Sequence, residues 1–175
     1  MMKISFNIAM AAVAVLCLMA CHDKKPAAPV KRTTKVEAPK GPMHMGDNIT
    51  KRSTNWLGAN YTVGVTRKAD GSLPLASDGT HDYYDNAITV SVNRPDGTQF
   101  FSRRFTKADF KAYVDDYYYK KGALLGIVFV GAQGNTLNFA ASVGNPDESS
   151  DEYVPLILKI SNLGAVSIAK DEDLE

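Results

Sequence analysis

Residues 88–105 read Ile-Thr-Val-Ser-Val-Asn-Arg-Pro-Asp-Gly-Thr-Gln-Phe-Phe-Ser-Arg-Arg-Phe. Ile88, Val90 and Val92 alternate with Thr89, Ser91 and Asn93, the period of a strand with one apolar and one wet face. Pro95 then fixes a φ, Asp96 offers a side chain that bonds nearby backbone, and Gly97 tolerates positive φ, so the chain turns and returns as a second strand over residues 99–105. An antiparallel hairpin in mid-chain commits the fold to sheet made from local pairings.

Working outward, residues 124–130 are apolar on both faces, turn at Gln133, Gly134 and Asn135, and return through Leu137, Phe139, Ala141 and Val143. Residues 154–160 turn near Asn162 and Gly164 into Val166 and Ile168. Residues 56–66 supply an earlier strand with Tyr61, Val63 and Val65 on one face. Between the hairpins the spacing predicts one helix, about 106–121. Thr106 caps it with Asp109 at the capping-box position, and Phe110, Tyr113, Val114 and Tyr117 form a buried stripe. Lys120 and Lys121 complement its dipole, and Gly122 ends it. The expected fold is α+β and mostly β: a curved antiparallel sheet or open barrel of hairpins with that helix packed on it, residues 124–130 being the strand buried on both sides.

Three segments follow from composition. Residues 8–20 are almost uninterruptedly apolar behind Lys3, too short for the ~20 residues of a membrane span, and read as an export signal, the signal peptide being 1–20. Residues 21–54 are rich in Pro, Ala, Lys and Thr without hydrophobic period, the mark of a disordered tether that adds little to stability. Residues 55–175 suit a single antiparallel β-rich domain. Charge divides at the same boundary: residues 21–54 hold eight Lys and Arg against three Asp and Glu, a net of +5, and residues 55–175 hold eleven against sixteen, a net of −5. The acidic domain speaks against nucleic acid as a partner, while the basic tether suits anionic lipid or simple solubility.

Leu18, Met19, Ala20 and Cys21 close the apolar run and resemble the lipobox of bacterial lipoproteins. The resemblance implies cleavage before Cys21 and acylation of that cysteine by diacylglycerol and, usually, an amide-linked palmitate-type chain. Several chains at about 0.8 kcal/mol per buried methylene hold a protein firmly at a membrane. His22 stands where the inner-membrane retention pattern wants Asp, which implies the outer membrane, and the basic rather than acidic stretch behind Cys21 implies a domain facing the periplasm. Cys17 and Cys21 are the two cysteines, so the mature domain has no thiol for a disulfide, a metal or nucleophilic catalysis. Phe105-Thr-Lys-Ala-Asp-Phe110 and Gly144-Asn-Pro-Asp-Glu-Ser-Ser-Asp-Glu152 resemble, over residues 56–170, small Gram-negative envelope lipoproteins whose domain has no assigned function. That likeness implies location and architecture and no activity.

Candidate chemistry is sparse. His81 is the histidine of the domain, with Asp78, Asp82 and Asp85 in the same loop; a metal held by His81 and two carboxylates is conceivable, but a polar turn entering the next strand explains the same residues and is the favoured reading. Asp147, Glu148, Asp151 and Glu152 offer hard oxygens, so calcium is the candidate cofactor beside the covalent lipid, although the loop lacks the EF-hand pattern and a solvated hairpin connection looks the same. The sequence carries no Gly-x-Ser-x-Gly elbow, Walker loop, dinucleotide fingerprint or His-Glu-x-x-His. The expectation is therefore not an enzyme. Tyr83 and Tyr84, with Tyr117, Tyr118 and Tyr119, concentrate aromatic side chains. With Tyr117 in the buried stripe, Tyr118 or Tyr119 is left outside to meet a partner, Tyr83 being a further contact candidate, unless these rings simply cap the core edge. The expected function is a non-enzymatic protein-binding or assembly module at the cell envelope, with a small-molecule or glycan-binding module as the alternative and a hydrolase third. An open cavity lined by Phe, Leu and Tyr would favour the alternative.

Overall fold

The computed structural model describes residues 41–173. The signal peptide, Cys21 and the tether up to residue 40 lie outside the described residues. The fold is α+β, mostly β and antiparallel, without a closed barrel. Its hairpins divide into two four-stranded sheets rather than one. The first contains β1 (Asn48–Trp56), β2 (Ala59–Ala69), β5 (Asn86–Asn93) and β6 (Gln99–Phe105), in the order β1-β2-β5-β6. The second contains β7 (Ala123–Gln133), β8 (Thr136–Gly144), β9 (Tyr153–Ser161) and β10 (Val166–Lys170), in the order β10-β9-β8-β7. A ribbon of β3 (Ala76–Ser77) and β4 (Asp82–Tyr83) fills the link between β2 and β5.

The expected alternation in β5 is present: Ile88, Val90 and Val92 are fully buried while Thr89, Ser91 and Asn93 are not. The inner faces of both sheets share one core, in which Val63, Ile88, Val90, Phe105, Leu137, Phe139, Leu156 and Leu158 meet. Burying each such aliphatic side chain contributes about 1.5–3 kcal/mol, so the pairing of the two sheets is the main source of stability.

Four expectations are corrected. The domain begins earlier than residue 55, because residues 48–54 form most of β1 and pair with β2 from Asn48 to Trp56. Met43 also bridges to Tyr83, and Met45 is buried with Ala76, Tyr83 and Ala123 in a second, small core. Residues 56–66 are not one strand, since the chain reverses at Leu57 and Gly58. The single helix is two pieces, a 3-10 segment Lys107–Tyr113 and α1 (Asp116–Lys121), broken where Val114 is extended at φ −121° and ψ 154°. Finally, β7 is buried on one side only: Ile127 and Phe129 face the core, whereas Val128 and Val130 are 58% and 68% exposed. The second sheet is covered on its inner face alone, so an all-apolar edge strand leaves half its side chains in water.

Candidate functional site

The break in the predicted helix decides which tyrosines are presented. The capping box forms as expected, Thr106 N–H donating to the Asp109 carboxylate at 2.9 Å, and Phe110 is fully buried. Asp115 then starts a new helix, its side chain accepting the Tyr118 N–H at 2.8 Å. Restarting resets the phase, so the stripe does not continue to Tyr117. Tyr117 is 62% exposed, Tyr118 packs against the core, and Tyr119 is half-buried with the Lys111 Nζ 5.0 Å from its ring centre. The expectation of a buried Tyr117 beneath an exposed Tyr118 or Tyr119 is thus reversed. Tyr117 and Tyr118 meet edge to face at 5.4 Å, and burial, then Glu152 and Asp115, push the Tyr118 hydroxyl above its ordinary pKa.

Close backbone approach places the acidic loop beside α1. A Cβ on Gly122 would lie 2.8 Å from the Gly144 carbonyl oxygen, and one on Gly144 would meet Tyr153 Cβ at 2.5 Å, so both positions need glycine. The loop over residues 145–152 is closed by its own bonds: Asn145 N–H to the Glu152 carbonyl at 2.9 Å, Ser149 N–H to Asp147 Oδ1 at 2.9 Å, and Asn145 Nδ2 to Glu152 Oε2 at 3.2 Å. Among the described residues no three His, Cys, Asp or Glu side chains converge as a metal-holding group. Asp147, Glu148, Asp151 and Glu152 form an acidic rim on this loop.

Tyr83 faces the same rim. Burial first, then Asp78 and the charges of Asp147 and Glu148, push its hydroxyl up to about 12. The hydroxyl donates to Asp78 Oδ2 at 3.0 Å, and Asp78 also accepts the Thr80 and His81 N–H groups, each at 2.6 Å. These bonds, the His81 N–H foremost, hold the Asp78 carboxyl down at about 2 against the opposing effect of burial. His81 Nδ1 lies 3.3 Å from Asp78 Oδ2. Asp82 points to solvent and Asp85 is buried elsewhere, so the loop that suggested a ligand set is a turn organised around Asp78. Ser77 Oγ donates to the His81 carbonyl at 3.1 Å rather than to its ring.

Asp85 belongs to a site the sequence reading missed. It is 1% exposed, pairs with Lys107 Nζ at 3.2 Å, and accepts the N–H groups of Asn86 at 2.8 Å and Leu124 at 2.9 Å. Lys107 also donates to the Gly122 carbonyl. A cleft of about 310 Å³, lined by Leu73, Pro74, Ala108 and Tyr119 among others, lies over this pair. One signal was available. A lysine immediately after an N-cap stands at the wrong end of the helix dipole, and such a position invites a search for another partner.

The structure thus brings Tyr83, Tyr117, Tyr118, Tyr153 and the acidic loop to one end of the domain, where the Asp85–Lys107 pair ties β5, β7 and the helical link together. Comparison with curated proteins finds no match. A family model described as a domain of unknown function (DUF4738) matches residues 28–168, and the chain belongs to that family.

Proposed function

We propose that the chain is a lipid-anchored envelope protein, held at the outer membrane through acylated Cys21 and facing the periplasm, whose domain is a non-enzymatic protein-binding or assembly module. The observation that carries the binding reading is Tyr117, a large ring largely in water and fixed against Tyr118 at the end of a short capped helix. Beside it the Tyr118 hydroxyl feels the charge of Glu152 from the 145–152 loop, and Tyr153 at the end of that loop is 49% exposed. A rigid aromatic centre with a charged rim is the composition of a protein contact surface. The lipid anchor rests on the lipobox resemblance of Leu18 to Cys21.

One experiment tests both parts. Cells fed a traceable fatty acid carry the chain with a photoreactive residue at Asp116, beside Tyr117. The expected result is a labelled chain crosslinked to an envelope protein, with label lost in Cys21→Ala. Tyr117→Ser is expected to weaken the capture about tenfold, some 1.4 kcal/mol, at an unchanged melting temperature. Label on the Cys21→Ala chain rejects the anchor. Capture indifferent to Tyr117→Ser rejects the interface.

A further inference from the structure

Between β1 and β7, each the last strand of its sheet, the two sheets part to leave a groove of about 300 Å³. Its apolar floor is Val63, Val65, Ile127 and Phe129. Its rim is unusual for a sandwich. Arg52 is the cross-strand partner of buried Val63, and Thr50 of buried Val65, so β1 turns an arginine and a threonine toward the side where a core-facing strand would carry apolar residues. Arg67, opposite Asn48 on β2, also lines the groove. Its Nη1 donates to the Leu125 carbonyl at 2.6 Å, and Nε and Nη2 donate to the Gly46 carbonyl at 3.2 and 2.8 Å. Of the five N–H groups of a guanidinium, three are therefore engaged, all by neutral carbonyls, and the head is held in place with its charge uncompensated. Arg52 has no hydrogen-bond or ion-pair partner among the described residues. Among the described residues no acidic side chain lines the groove, although the domain around it is acidic overall.

We propose that this groove is a binding site for a small amphiphilic anion, a single apolar chain or ring bearing one carboxylate-like head. The apolar floor takes the hydrophobic body, and Arg52 and Arg67 take the head, the fork geometry of guanidinium matching two oxygens. The volume lies at the lower end of the ~300–1,000 Å³ of small-molecule sites, which suits one short chain rather than a two-chain lipid. An inward arginine on an edge strand also discourages strand-to-strand aggregation, and the test separates that role from ligand binding. The proposal is independent of the aromatic end, which the groove residues do not include.

Among the described residues the core lies between Met45 and Ile160, so a chain beginning at His22 is expected to keep the fold without an anchor or detergent. Calorimetric titration with decanoate is expected to show saturable one-to-one binding, and decanol is expected to bind at least about tenfold more weakly. Arg52→Gln is expected to weaken decanoate by a similar factor while leaving decanol unchanged, and Thr50→Trp, which fills the groove from an exposed position, to abolish both at an unchanged melting temperature. Equal affinity for decanoate and decanol, no binding of either, or self-association of Arg52→Gln with no change in decanoate affinity overturns the proposal. An acidic extended peptide displacing decanoate with higher affinity overturns it in favour of strand addition.

Discussion

Leu57 has φ 54° and is followed by Gly58 at φ 78°, the paired positive angles of the tight turn that joins twisted antiparallel strands and that prefers Asn-Gly. A leucine there costs about 1–2 kcal/mol, because its Cβ crowds the next carbonyl. Leu57→Asn is therefore expected to stabilise the domain by about 1 kcal/mol, read as a higher urea midpoint with an unchanged slope; a lower midpoint would mean that the half-exposed Leu57 side chain contributes packing that outweighs its strain. The same residue explains why β1 was illegible. A leucine announces no turn, so residues 56–66 read as one strand. The turn at Pro95, Asp96 and Gly97 was legible because each residue states its reason: Asp96 Oδ1 accepts the Thr98 N–H at 2.9 Å and Gly97 adopts φ 83°.

At the scale of elements, the helical link shows both the reach and the failure of periodicity. Thr106, Asp109 and Phe110 behave as their spacing demands. Tyr117 does not, because Asp115 accepts from the Tyr118 N–H and so begins a second helix in a new phase. An aspartate can cap as well as decorate a helix, and the apolar spacing alone does not say which. Lys107 is the other lesson, since its partner Asp85 lies more than twenty residues away in sequence, beyond any local pattern. Breaking that pair leaves a buried carboxylate, and Lys107→Met is expected to cost about 3–5 kcal/mol in urea unfolding. Adding Asp85→Asn should recover part of the loss, because asparagine removes the charge and keeps an oxygen for the Asn86 and Leu124 N–H groups. Failure of the second change to restore stability would place the cost in lost lysine packing rather than in the stranded charge.

Across the whole molecule, hairpins were legible because their turns are local, whereas their division into two sheets was not. The packing of β7 against the first sheet is a long-range event that β7 announces only as excess hydrophobicity, and that excess also produces exposed Val128 and Val130. The polar tether and the polar edge strand were confused for a related reason. β1 buries little of itself and covers others, closing the side of Val63 and Val65 while Met45 plugs the small core beside Tyr83. Composition reports what a segment would bury, not what it shields. A chain starting at residue 55 would uncover Val63 and Val65 and lose Met45. With each such side chain contributing about 1.5–3 kcal/mol, the deficit is comparable with the ~5–15 kcal/mol that holds a domain folded. The chain from residue 55 is thus expected to lose its cooperative melt, whereas one from residue 41 should melt with the longer chain. Equal melting of the two by calorimetry would mean that β1 only lies on the sheet and that the first sheet stands with three strands.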